Sequence, residues 1–180
     1  MKLLPLTNIV ITVPHSHCKD EMDKYCDKKS KQHATELYEL LIGNDQSEIK
    51  ESKHYVHRRS KDVDLLISRT HKLECNLNNK KCAERRPAFL SKLDQIVKFK
   101  GEENSIILDV YSFPKNRSME NQMLILYPKG HKKNAEYLKK VLQEFKDYKI
   151  KIFPASEENH IVNKYAKSSP MSLILEFPED

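Results

Sequence analysis

The apolar residues of this chain gather in short blocks separated by long polar stretches. Residues 8–13 (NIVITV) form a β-branched run that stops at Pro14, and 105–111 (SIILDVY) form another, broken by Phe113-Pro114. Residues 122–127 (QMLILY) end at Pro128-Lys129-Gly130, 149–153 end at Pro154, and 172–177 (SLILEF) make the last block. Continuous apolar runs of this length, bounded by turn formers, read as strands buried on both faces, the habit of a largely parallel sheet. Between them the spacing turns helical. Ala34, Leu37, Tyr38 and Leu41 share one face, with Ser30 predicted as the N-cap and Gly43 as the C-terminal stop. Pro87 opens a second helix whose stripe is Phe89, Leu93, Ile96 and Val97. A third, over 134–145, turns Leu138, Val141, Leu142 and Phe145 inward, and 161–167 reads as a helical turn. Residues 44–79 are polar around one apolar island, VDLLI, and predict a long loop with a strand near 55–56. Strands alternating with helices give an α/β chain: a three-layer α/β/α sandwich, phosphorylase/hydrolase-like, with a mainly parallel or mixed central sheet and one domain spanning 1–180.

Composition narrows the function classes. A chain of 180 residues with 38% hydrophobic and 32% charged residues suits one domain with a sizeable core. The net charge of +6 comes from lysines scattered among carboxylates, which reads as solvated faces and not as a specific nucleic-acid reader. The only glycines are Gly43, Gly101 and Gly130, too few and too dispersed for a Gly-rich phosphate loop. The opening MKLLPLTNIVITV reads as a buried first strand and not a signal peptide, and no run approaches the roughly 18 apolar residues of a membrane span. A cytoplasmic protein without membrane contact is therefore expected, with Cys18, Cys26, Cys75 and Cys82 as reduced thiols. His71, Cys75 and Cys82 are spaced H-x3-C-x6-C, which fits no standard zinc finger, so free thiols on a loop are expected there.

Polar groups stand out at the ends of three predicted strands: Val13-Pro14-His15-Ser16-His17, then Asp109-Val110-Tyr111-Ser112-Phe113-Pro114, then Leu173-Ile174-Leu175-Glu176-Phe177. Parallel neighbours would carry these ends to one rim, where α/β sheets place their chemistry. Glu176 is the sharpest of them, because a carboxylate inside an apolar strand is costly unless it is paired or functional.

With Cys26-Asp27 before the first helix and Arg59-Ser60-Lys61-Asp62-Val63-Asp64-Leu65 in the middle, the ordered set resembles the N-formylglutamate amidohydrolase family and, more remotely, the zinc carboxypeptidases. That family's pattern runs V-P-H-S/A-G, an acidic residue, R-x-x-x-D-L-N-R, D-x-H-S-F-P and a late I-E. The resemblance implies zinc as cofactor, with His15 as first ligand, Asp27 (or Asp20, Glu21 or Asp23) as the acidic ligand, and Glu176 as the catalytic carboxylate that activates a zinc-bound water. About three N/O ligands and an open position for water are what a catalytic zinc needs. The pattern is also broken. Tyr111 stands where the family has its third ligand, a histidine, and a neutral phenol is a poor substitute for imidazole. Leu66-Ile67 replace N-R, removing the arginine that would clamp a substrate carboxylate, so Arg59 or Arg69, or Arg58, would have to supply that charge. His17 fills the glycine position and offers a second imidazole near His15. Asn159-His160 resembles a helix-entry segment that the family furnishes with polar residues, marking His160 as a site candidate.

Two functions follow from the resemblance. One is a diverged member that kept the fold, lost or reduced zinc-dependent amide hydrolysis, and acts as a binding or regulatory module with a protein partner. The other is an active zinc amidohydrolase or carboxypeptidase-like enzyme acting on a small N-acyl amino acid or a peptide end.

Overall fold

The computed structural model describes residues 8–15, 27, 29–71, 74–77, 79–85, 87–113, 122–143 and 149–179. Its centre is β1 (Ile9–Val13), every residue of which is buried. The β-branched run packs on both faces. Ile9, Ile11 and Val13 enter one apolar cluster, while Val10 enters another on the opposite side of the sheet. Flanking β1 in parallel are β4 (Val63–Ser68) and β5 (Ile106–Phe113), and β5 pairs in parallel with β8 (Met171–Pro178). The C-terminal ends of β4, β1, β5 and β8 therefore lie side by side.

The rest of the sheet is antiparallel to this block or to its own neighbours. β3 (Tyr55–Arg59) runs against β4, and β2 (Glu48–Glu51) against β3. On the other flank β6 (Gln122–Tyr127) runs against β8 and in parallel with β7 (Lys149–Pro154). The full order is β2-β3-β4-β1-β5-β8-β6-β7, a mixed eight-stranded sheet. The strand expected near 55–56 is β3, but residues 48–68 form three strands in place of a long loop. VDLLI is the core of β4, and the polar residues before it make two strands at the sheet's edge.

Helices cover both faces, completing the three layers. α1 (Ser30–Ile42) packs Ala34 and Tyr38 into the cluster that also takes Leu138 and Leu142 of α4 (Lys132–Gln143). On the other face α2 (Lys80–Arg85) supplies Ala83, α3 (Pro87–Lys100) supplies Phe89, Leu93, Ile96 and Val97, and α5 (His160–Tyr165) supplies Ile161 and Tyr165. Each buried Leu, Ile or Phe contributes roughly 1.5–3 kcal/mol relative to exposure, so these stripes fix the helices to the sheet. α1 stops at Gly43, whose φ of 57° lies in the left-handed region and whose N–H reaches Glu39 O at 3.1 Å.

Two expectations are corrected here. Ser30 is the first residue of α1 and not its cap: its hydroxyl turns back to donate to Asp27 O at 2.7 Å. Cys75 and Cys82 are joined by a disulfide and are not free thiols. α2 begins early enough to bring Cys82 within a Cα–Cα distance of 5.5 Å of Cys75, inside the range a disulfide spans. Among the described residues no helix is long and apolar enough to cross a membrane.

Candidate functional site

The register of β1, β5 and β8 builds the site. Thr12 is the neighbour of Asp109 across β1 and β5, and Tyr111 is the neighbour of Glu176 across β5 and β8. Parallel register partners share a face, as do residues two apart on a strand, so Thr12, Asp109, Tyr111 and Glu176 line one side of the sheet near its C-terminal rim. α5 covers that side, with Val162 packed against Tyr111 and Ile174. His15 follows directly in the turn after β1, buried at 2% exposure, and its ring centroid lies 5.6 Å from that of Tyr111. Asp27 completes the group. Its N–H donates to His15 O at 3.1 Å, and its carboxylate Oδ2 stands 3.8 Å from His15 Nδ1.

Hydrogen bonds tie these strand ends together. Ser112 Oγ accepts from Lys29 N–H at 3.2 Å and donates to Glu179 Oε1 at 2.8 Å. Glu179 N–H in turn reaches Phe113 O at 2.9 Å. Together with the Ser30 hydroxyl on the Asp27 carbonyl, these bonds hold the entry to α1 against β5 and the end of β8. His33 of α1 stacks on Phe177 at 4.7 Å.

Asp109 sits at the electrostatic centre. It is fully buried, and it accepts hydrogen bonds from Thr12 Oγ1 at 2.5 Å and from Tyr111 Oη at 2.7 Å. Burial pushes its carboxyl up to about 7; the bonds from Thr12 and Tyr111 oppose the rise, and the charges of Asp27 and Glu176 add to it. Near neutral pH Asp109 is therefore able to give or take a proton. Its role was missed in the sequence, although the signal was present: it is a carboxylate inside SIILDVY, the same anomaly that marks Glu176 in SLILEF.

The structure thus brings His15, Asp27, Tyr111 and Glu176 to one rim. His17, Asp20, Glu21 and Asp23 lie outside the described residues. The proposed substrate arginines do not join the group. Arg59 ends β3 opposite Asp64, three residues before the position on β4 that pairs with Val13, so it lies roughly 10 Å or more away along the strands, towards the other rim. Arg69 follows β4, but its guanidinium is held at the sheet edge by Glu51, at 2.5 Å, and by Ser52 O, at 3.0 Å. Arg58 pairs with Glu39 at 3.3 Å. His160 opens α5, and the charges that act on it are those of Lys164 on α5 itself, Lys80 and Glu84 on α2, and Asp94 on α3. Burial lowers its pKa, and the charges of Lys164 and Lys80 add to the effect. Leu66 and Ile67, where the resemblance expects a polar pair, are core residues on opposite faces of β4.

Among the described residues a zinc ion would find an incomplete set. His15 and Asp27 present an imidazole and a carboxylate 3.8 Å apart, but Tyr111 points its hydroxyl at Asp109 as a donor. Among the described residues no group of three or more His, Cys, Asp or Glu side chains is arranged to hold a metal ion.

No family model matches the chain, and no curated protein matches it. Among solved structures, Helicobacter pylori MTAN aligns with a TM-score of only 0.39 at 11% identity, over 96% of this chain and 78% of that one. The crystal structure of gene product Atu2144 from Agrobacterium tumefaciens aligns with a TM-score of 0.63 at 9% identity, over 96% of this chain and 79% of that one. At that identity the likeness to Atu2144 is one of fold, and the chain is an α/β protein with a three-layer architecture.

Proposed function

We propose that this chain is a diverged N-formylglutamate amidohydrolase-like domain in which zinc-dependent amide hydrolysis is reduced or lost, and which works as a binding or regulatory module through the recess at the ends of β1, β5 and β8. The observation that carries this reading is the bond from Tyr111 Oη to Asp109 Oδ2 at 2.7 Å. At the position of the family's third ligand stands a phenol whose proton is committed to a buried carboxylate. Coordination through that oxygen would require the bond to break and the phenol to ionise, far from its reference pKa near 10. The missing substrate arginine points the same way, since Leu66 and Ile67 fill its place with core side chains.

A second reading keeps the enzyme. It rests on the closeness of His15 and Asp27 and on the position of Glu176 beside Tyr111. Zinc bound there would supply a water acidified towards neutral pH. In this chain His15 and Asp27 would hold the ion, Glu176 would take the water's proton, and α5 would keep bulk water from that side of the sheet.

Zinc titration by calorimetry, on the wild type and on Tyr111→His, separates the two readings. The binding-module reading expects well under one zinc per wild-type chain at stoichiometric addition, and a gain of zinc affinity in Tyr111→His. Full zinc uptake by the wild type, with hydrolysis of N-formylglutamate that Glu176→Gln abolishes, would establish the enzyme and end the binding-module reading.

A further inference from the structure

A second cleft, of about 210 Å³, opens between β3–β4 and α3, lined among others by His57, Arg59, Lys92, Phe99 and Lys100. Register places it at the rim opposite the recess just described, because Arg59 pairs with Asp64 at the start of β4. Its floor is a buried charge cluster. Asp64 accepts from His57 Nε2 at 2.6 Å and pairs with Lys100 Nζ at 3.0 Å, and all three side chains are at most 5% exposed. One carboxylate thus serves two basic groups. His57 Nδ1 is also buried and has no hydrogen-bond partner among the described residues.

The walls add charge without adding an anion. Arg59 lies over the ring of Phe99 at 4.8 Å, and neither Arg59 nor Lys92 forms an ion pair among the described residues. Three cationic side chains against Asp64 leave the lining with a net of two positive charges, before any proton on His57. The cleft flanks the last turns of α3, whose C-terminal dipole contributes only about half a negative charge. The cations outweigh it. Residues far apart in sequence, on a strand and a helix, therefore converge with their charge unbalanced around a partly enclosed space that also offers an exposed aromatic face.

We propose that this cleft binds a phosphate group, with Arg59 and Lys92 as the phosphate-contacting residues, Lys100 and His57 held beneath them by Asp64, and Phe99 as a shelf for an organic substituent. Arg and Lys suit this role because charge-assisted bonds to phosphate oxygens are about twice as strong as neutral ones. The two sources, free phosphate and an aromatic phosphate monoester, share this chemistry.

The test is a titration of the full chain with inorganic phosphate and, separately, with phenyl phosphate, followed by backbone amide NMR shifts. Expected are saturable shifts at residues 57–64 and 92–100, without comparable shifts at 13–15 and 109–113. Substituting both Arg59→Gln and Lys92→Gln, positions at the surface that leave the core intact, is expected to weaken binding at least about tenfold, the loss of roughly 1.4 kcal/mol of contact. Phenyl phosphate binding more tightly than inorganic phosphate, with the advantage lost in Phe99→Ala, would assign an aromatic monoester; equal affinities would assign free phosphate. Absence of saturable shifts in this region with either probe, or shifts that the double substitution leaves unchanged, would overturn the site.

Discussion

Replacing Asp109 by asparagine offers the most direct measurement of the recess. In the folded chain this carboxyl is raised from 3.8 to about 7, chiefly by burial. Between those values the folded state keeps a proton that the unfolded state has lost. The group's contribution to stability is therefore fully present below about pH 4 and is lost as the pH rises through 7. A shift of this size corresponds to about 4 kcal/mol in total, of which more than half falls between pH 5 and pH 8. Asparagine keeps the shape and removes the ionisation. It sacrifices acceptor capacity towards Thr12 and Tyr111, an effect of about 1 kcal/mol that does not vary over this range. Urea denaturation at intervals from pH 5 to pH 8, extrapolated to zero denaturant, reads the difference between the two proteins. Asp109→Asn is expected to gain on the wild type by about 2–3 kcal/mol over that interval and to be the more stable protein at pH 8. A difference that stays constant with pH would refute both the burial argument and the placement of Asp109 at the centre of the site.

Two further outcomes follow from the same structure. Tyr111→Phe removes the donor at 2.7 Å, which opposes the rise at Asp109, so its pH-dependent loss of stability should continue to higher pH than in the wild type, read from the same denaturation series. Reducing the Cys75–Cys82 disulfide, or substituting Cys82→Ser, should cost roughly 2–3 kcal/mol of stability on a loop-closure estimate for so short a loop, with thiol alkylation of this pair requiring prior reductant.

Much of the fold could be read from the apolar blocks because burial on both faces leaves an unmistakable run. NIVITV, SIILDVY, QMLILY and SLILEF are the interior of β1, β5, β6 and β8. The edge resisted for the opposite reason. β2 is EIKE, exposed at every position, and nothing in its side chains demands a strand; its order comes from backbone pairing with β3, a tertiary cause. Arg59 was placed with the site because it opens a motif, but β3 runs antiparallel to β4, and that reversal carries its last residue to the other rim. Ser30 has the composition of a cap, yet its hydroxyl serves Asp27, a contact decided by the entry angle of the chain. The convergence of His15, Tyr111 and Glu176 was legible because three parallel neighbours were predicted, and β1, β5 and β8 are adjacent in that order.

The departure from the family pattern at Tyr111 and the behaviour of Asp109, which matches that pattern, belong together on the proposed reading. Among the described residues Asp27 and Glu176 act on Asp109, with His15 beside Asp27, and this leaves an excess of negative charge that a divalent cation would balance. Without a cation, the carboxylates must be relieved in some other way, because buried like charges cannot all stay ionised. The structure contains two such reliefs on one residue: burial lets Asp109 hold a proton near neutrality, and Tyr111 gives its carboxyl a hydrogen bond with no metal needed to orient the donor. Tyr111 is then the partner that reaches Asp109 without a metal, whereas a histidine there would need the ion to fix its ring and its N–H towards that carboxyl. Tyr111→His should accordingly be less stable than the wild type in the presence of chelator and should recover when zinc is added, a pairing of effects that a merely structural tyrosine would not produce.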